Sequence, residues 1–394
     1  MSSSQPRPKL AYIVSRFPYP LEKGDKLRAY YQLKELSKTH EIHLFALTEM
    51  AVDQRHIELL NEYCEAVHVF RLRKWMIVLQ LFRCFFSTKP FQTAYFYDPL
   101  IDIQINRLLK KIKPEHIFCQ LIRAAEYIKD YHYCPKTLDY MDALSKGIER
   151  RIERAPFYSR WLFRSESRRL GQYERTIFSY FEYKLIISEQ DRELIFHPER
   201  KTILCVPNGI SESFFEPVMS SKKYDLVFVG NLSYAPNIEA VEFIDKLLST
   251  SELTCLVSGA NPSSTISRIA AKNKRITLQG WVDDIREAYC SGRIFIAPMM
   301  IGTGMQNKLL EAMALGIPCI TTPLAGNAIH GKHEEHLLIA QDMDEFKRAI
   351  ERLINDHELY KTISANASFF VKQQYSWSHA NRIILEKCLN YSVA

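Results

Sequence analysis

The stretch RIFIAPMMIGTGMQNKLLEAMALGIPCITTP, residues 293–323, concentrates more chemistry than any other part of the chain. A buried strand is expected to end at Pro298, and a loop with Gly302 and Gly304 leads into a helix starting near Met305, which Gly316 caps ahead of Pro318. Small residues before a helix N-terminus let an anion reach the backbone N–H groups there. Lys308, one turn in, supplies a positive charge that can neutralise a phosphate. Glu311 lies among Leu309, Leu310, Ala312, Met313 and Ala314, and a carboxylate on so apolar a helix needs partners, for which sugar hydroxyls are suitable. Spacing alone fits equally well a packed helix of a doubly wound domain with a surface Lys308–Glu311 pair.

Two segments in the first half are of the same kind. SRFPYPLEKGDKLR (15–28) follows the first expected strand; Gly24 allows close approach of a ligand, and Arg16, Lys23, Lys26 and Arg28 supply charge. Asp25 reads as the cap of a helix beginning at Lys26, and a solvated loop with an ordinary cap is the alternative. KTLDYMDALSKG (136–147) places Asp139 and Asp142 at the end of a buried strand. Asp142 is the candidate general base, accepting or orienting a hydroxyl proton, or else the cap of a helix starting near Leu144. His43 alternates with Ile42 and Leu44 and is expected to face away from the core, and no His pair has metal-ligand spacing.

These segments need a scaffold, and the chain supplies one by alternating short apolar strands with helical patterns. Strands are expected at LAYIVS (10–15), EIHLFALT (41–48), AVHVFRL (66–72), HIFCQ (116–120), KTLDYMD (136–142) and YKLIISE (183–189). The second half repeats the rhythm with DLVFVGN, LTCLVSG, RITLQGWV, RIFIAPM, IPCITTP and HLLIA. Between the first two strands, Leu27, Tyr30, Tyr31, Leu33 and Leu36 recur at helical spacing. The region ILCVPNGISESFFEPVMSSKKYD breaks the pattern with two Pro, a Gly and a Ser cluster, marking a boundary. The expected division is therefore 1–205, 206–375 and a C-terminal helix over 376–394, which either stays with its own domain or crosses back to the first. Two such sheets make two doubly wound domains, with ligands outside the carboxyl ends of the strands, in the cleft where the domains face one another.

With 394 residues the chain is too long for one domain and right for two. Its 47% hydrophobic and 25% charged residues exclude disorder and coiled coil. The net charge of +7 suits an anionic ligand or membrane surface and is too weak for nucleic acid. Nine scattered Cys without a CxxC read as reduced thiols, so a cytoplasmic location is expected. The longest apolar run, WMIVLQLF (75–82), is far short of a membrane span. RLRKWMIVLQLFRCFF (71–86) and SKGIERRIERAPFYSRWLFRSESRRLGQYER (145–175) interleave basic and aromatic residues, as surfaces that dock on anionic headgroups do. A core helix with flanking charges and a solvated charged face are the plain alternatives.

GTGMQNKLLEAMALGIPCITT, VPNGI (206–210), FVGNLSYAPNIEAVEFI (228–244) and GWVDDIREAY (280–289) together resemble retaining glycosyltransferases of the GT-B fold, family 4. The N-terminal SRFPYPLEKGDKLRAYYQLKELSKTHEIHLFALTE is similar to a subgroup associated with exopolysaccharide loci. The resemblance implies an α/β GT-B fold, two Rossmann-like domains facing a central cleft, the C-terminal one holding a nucleotide-diphosphate-sugar donor and the N-terminal one the acceptor. It implies that Glu311 binds the ribose hydroxyls; the motif's other Glu falls at 303, where this chain has Thr303. Charge on the diphosphate is expected to meet amides at Gly304, Met305 and Gln306 and the Lys308 ammonium, with Gly230, Asn231, Ser233, Tyr234 and Asn237 adding close contacts, although Asn237 equally suits a helix cap. No cofactor or bound metal is expected, the nucleotide sugar serving as co-substrate. The expected activity is hexosyl transfer to a hydroxyl of a lipid-linked saccharide or surface polysaccharide. A non-catalytic GT-B partner subunit and a nucleotide-sugar epimerase or hydrolase are the rival readings.

Overall fold

A strand covered on both faces must be largely apolar on both, and the first two strands of the chain are. KLAYIV and EIHLFALT are buried along almost their whole length. The computed structural model describes residues 6–21, 23–152, 156–218, 221–300 and 305–390. It divides into two compact units, one running to Asn208 and including the segment from Ala380, the other spanning Gly209–His379. The division falls three residues beyond the expected boundary at its first crossing and four beyond it at its second, following main-chain pairing rather than composition: the Ile210 N–H donates to the Tyr375 carbonyl at 2.6 Å, and Ile210 bridges to Ser376.

In the first unit the strands are β1 (Lys9–Val14), β2 (Glu41–Thr48), β3 (Ala66–Arg71), β4 (His116–Gln120), β5 (Lys136–Asp139), β6 (Tyr183–Ile186) and β7 (Leu204–Cys205). They form one parallel sheet in the order β3-β2-β1-β4-β5-β6-β7. In the second unit β8 (Tyr224–Val229), β9 (Cys255–Ser258), β10 (Ile276–Gln279), β11 (Gly292–Ala297), β12 (Cys319–Thr321) and β13 (Leu338–Ile339) form another, ordered β10-β9-β8-β11-β12-β13. Each order reverses once, between β1 and β4 and between β8 and β11. Loops leaving neighbouring strands diverge at such a point and open a crevice. The residues after β1, β4, β8 and β11 are thus placed where a doubly wound sheet binds ligands.

The helix Trp377–Lys387 closes the chain. Ala380, Ile384, Leu385 and Cys388 are buried with Leu10, Tyr12, Leu33 and Leu44 in the core of the first unit. His43 corrects an expectation, because both faces of its sheet are covered. It is buried, stacks on His68 at 6.5 Å and shares a hydrogen bond with Glu41.

Candidate functional site

β8 delivers the chain to Gly230, and a short turn leads to the helix Ala235–Leu248. The Asn231 side-chain oxygen accepts from the Ser233 N–H at 3.0 Å and hydroxyl at 2.8 Å, closing that turn. Two glycines make the crossing possible. Gly259, leaving β9 with φ +148°, has no room for a β-carbon, which would stand 1.8 Å from the Gly230 carbonyl oxygen. A β-carbon on Gly230 would come within 2.7 Å of the Asn237 amide nitrogen. Asn237 is not a cap: the helix has already begun at Ala235, and its buried side chain donates to the Asn231 carbonyl at 2.8 Å while accepting from the Lys308 ammonium.

Beside this turn β11 ends, its exit pinned by the Thr321 and Thr322 hydroxyls, which donate to the Ala297 and Met299 carbonyls at 2.8 and 2.7 Å. Gly302, Thr303 and Gly304 lie outside the described residues. The helix runs Asn307–Ala314, starting two residues later than expected, so Met305 and Gln306 precede it and Lys308 is its second residue. At its end Gly316 has φ +70°, and the N–H groups of Gly316 and Ile317 return to the Met313 and Ala312 carbonyls at 3.0 Å each.

Lys308 and Glu311 are not a surface pair. The Lys308 ammonium sits 3.6 Å from the Met299 sulfur and 5.1 Å above the Phe228 ring. Burial pushes its pKa down to about 8, with Glu311 opposing. Glu311 accepts a 2.7 Å hydrogen bond from the hydroxyl of Tyr289, a buried residue on the helix Ile285–Cys290. Burial lifts the Glu311 carboxyl above the usual range, while Tyr289 and Lys308 hold it down. A cation and a carboxylate thus flank the N-terminus of one helix at the switch point of the second sheet. The first can meet an anionic group and the second a pair of hydroxyls. Tyr289 and the Asn237–Lys308 contact were missed in the sequence, although GWVDDIREAY and NLSYAPN carried both residues.

The first unit sorts its candidates differently. Arg16, just after β1, pairs with Asp25 at 2.9 Å, and Asp25 lies inside the helix Gly24–Leu36 rather than capping it. Lys26 reaches the Tyr19 carbonyl at 3.5 Å, and a β-carbon at Gly24 would meet only open space. Arg28 is a correction. It is fully buried, its Nε donates to Asp139 at 2.6 Å and its Nη1 to Asn208 at 2.9 Å. Gln32 donates to the same Asp139 oxygen at 3.3 Å and accepts from the Tyr12 hydroxyl. Arg28 is therefore a core ion pair and not a loop charge.

Asp142 is exposed, and it does not cap the next helix. Glu174 takes that role, accepting from the Ser145 N–H at 2.9 Å and hydroxyl at 2.6 Å. Solvent reaches the Asp142 side chain, yet the protein around it raises its pKa to about 6. Desolvation is the main cause and Asp191 adds to it, while Arg123 and Arg150 oppose.

Residues 223–356 match the family model described as "Glycosyl transferases group 1". An uncharacterized 44.6 kDa protein in the cps region of Klebsiella pneumoniae is 23% identical, aligned over 93% of this chain and 96% of that one. The UDP-Gal:alpha-D-GlcNAc-diphosphoundecaprenol alpha-1,3-galactosyltransferase of Escherichia coli is 32% identical over a stretch covering 43% of this chain and 49% of that enzyme. HepE of Anabaena, solved in complex with UDP, superposes with a TM-score of 0.64 at 14% identity, over 97% of this chain and 100% of that one. Two parallel Rossmann-like sheets and these structural likenesses give the chain a GT-B fold, and within it residues 223–356 are similar to the group 1 glycosyl transferases.

Proposed function

We propose that the chain is a retaining hexosyltransferase that moves a sugar from a nucleoside-diphosphate sugar to a hydroxyl of a lipid-linked saccharide or surface polysaccharide. The observation that carries this reading is the half-buried pair Lys308 and Glu311 on the helix Asn307–Ala314, each aimed by a neutral partner, Asn237 and Tyr289. The diphosphate lies against Lys308 and the first amides of that helix, with Gly230, Asn231 and Ser233 beside it, and Glu311 takes the ribose hydroxyls. Departure of the diphosphate and attack on the same face of the sugar ask for no protein nucleophile. Asp142, solvent-reachable and with a pKa of about 6, is ionised at neutral pH and suits acceptance of the acceptor's hydroxyl proton.

The acceptor class draws on the relatives, one acting on a diphosphoundecaprenol-linked sugar and another lying in a cps region. It also draws on a surface. No described helix is long and apolar enough to cross a membrane. The helix Lys74–Phe85 and the residue after it instead expose Trp75, Val78, Phe82, Phe85 and Phe86, with Lys74 and Arg83 among them, and Phe157, Tyr158 and Trp161 are exposed near Arg160 and Arg164. Aromatics with flanking cations suit the interface of an anionic bilayer. Pelleting with phosphatidylglycerol vesicles at low salt, lost at high salt, is expected; no pelleting at low salt refutes membrane docking.

Thermal stabilisation by a panel of nucleoside diphosphates and their sugars tests the core of the reading. A shift with one nucleotide family supports it and names the base. No shift with any of them overturns it in favour of a non-catalytic GT-B subunit.

A further inference from the structure

The switch point of the first sheet holds a cavity that the donor chemistry does not use. It measures about 360 Å³, within the range of small-ligand pockets, and Arg16, Arg123, Glu49, Leu81, Phe91 and Tyr95 line it. Arg16 follows β1 and Arg123 follows β4, the two strands at which the sheet order reverses. Both guanidinium groups lie on one ring, at 5.9 and 5.7 Å from the centroid of Phe96.

Two cations on one ring repel each other; burial first, and Arg16 after it, push the Arg123 pKa down. Their partners do not balance the charge equally. Arg16 has the Asp25 carboxylate at 2.9 Å, whereas Arg123 spends its Nε and Nη2 on the neutral Gln92 side-chain oxygen, at 2.9 and 2.6 Å. The acidic groups facing the pair are Asp25 and Asp142, and at the rim Glu49, which is exposed and engages the Tyr95 hydroxyl. A planar fork held in place by a neutral amide, with a second cation beside it, is a site for a bidentate oxyanion.

The wall of the cavity gives the rest of the ligand. Leu81 belongs to the helix Lys74–Phe85, and Phe91 packs edge-on against Phe85 at 5.1 Å. Phe85 and its neighbour Phe82 are exposed on that helix. The cavity therefore runs from two arginines at the strand ends to an apolar surface at its rim.

We infer that Arg16 and Arg123 form a clamp for the phosphate of a lipid-linked acceptor, whose chain leaves along the helix Lys74–Phe85. This rests on the transferase reading above, extends it from a saccharide acceptor to an anionic one, and assigns its recognition to two residues.

The test titrates geranyl diphosphate, geraniol and inorganic pyrophosphate onto the whole protein and onto Arg16→Gln, Arg123→Gln and Arg123→Lys, with nucleoside diphosphate stabilisation followed in parallel. Geranyl diphosphate should bind wild type at least tenfold more tightly than geraniol. Arg123→Gln and Arg16→Gln should erase that preference, Arg123→Lys should keep part of it, and nucleotide stabilisation should be unchanged in all three. A misfolded variant would lose nucleotide stabilisation as well, and Arg123→Lys then decides. Pyrophosphate binding as tightly as geranyl diphosphate, and losing affinity in Arg123→Gln, would support the clamp while overturning the lipid as the source of its phosphate. Equal binding of geranyl diphosphate by wild type and Arg123→Gln, with nucleotides still stabilising both, overturns the clamp and leaves the transferase standing. Failure of every nucleotide to stabilise wild type overturns the transferase reading itself.

Discussion

Each half of the molecule gathers ionisable side chains around the strands at its switch point, and the two halves use them in opposite ways. In the first unit Arg28 and Asp139 are fully buried, and Gln32, Asn208 and the Met141 N–H bind around them. In the second, Lys308 and Glu311 are only partly covered, and each leans on a neutral partner rather than on an opposite charge in direct contact. A charge pair neutralised internally holds elements together. A cation and a carboxylate steadied by neutral groups keep their charge for something that arrives. Burial alone does not separate a structural charge from a functional one; between these two pairs, the charge of the nearest partner does.

The contrast is broken most forcefully at Asp139. Asp139→Ala leaves the Arg28 guanidinium buried without its counter-ion, and the expected loss of stability is about 3–5 kcal/mol. Urea denaturation monitored by tryptophan fluorescence measures it. A loss below about 1 kcal/mol would show that Arg28 is not held by this pair. Three residues on, Asp142 should behave in the reverse manner. Asp142→Asn is expected to leave the denaturation midpoint nearly unchanged and to lower turnover by roughly 10²- to 10⁴-fold, with donor binding retained. Wild-type turnover should fall as the pH drops through about 6, since the protonated carboxyl cannot accept a proton, and the variant should lack that limb.

The strands were legible because parallel β-structure demands unbroken apolar runs, and these stand out in sequence. β7 was not, since two residues inside ILCVPNG cannot be told from the linker around them. The site was half legible. Lys308 and Glu311 announce themselves by standing on an apolar helix, whereas Asn237 and Tyr289 are brought to them across 71 and 22 residues by the order of the strands. Arg28 was misread for a related reason. Leu27, Tyr30, Tyr31, Leu33 and Leu36 suggested one helix face; Leu33 and Leu36 are on the buried face, but Arg28, Ala29 and Gln32 complete it. Two polar residues can face inward there only because Asp139 waits 111 positions away, which no local period reveals.

Glu311 sharpens the comparison at intermediate size. Glu311→Ala removes a carboxylate that the fold does not need for charge balance, so stability should change little while nucleoside diphosphate affinity falls by about 10- to 100-fold, the loss expected of hydrogen bonds to a charged group. Calorimetric titration reads both the affinity and the folded fraction. Unchanged affinity would move the ribose away from this helix.

The smallest effect is the most specific, because two quantities should respond to pH in opposite directions at one residue. Burial lowers the Lys308 pKa from the ordinary 10.5 to about 8, so the folded protein releases this proton more readily than the unfolded chain. Between those values the unfolded chain carries more protons, and this residue's contribution to stability should rise with pH. A bound diphosphate favours the charged ammonium, so nucleotide affinity should instead decline above pH 8, approaching tenfold per unit if the charged form alone binds. Lys308→Met should flatten both slopes at once. If affinity in wild type holds constant from pH 7 to 10, Lys308 does not meet the diphosphate.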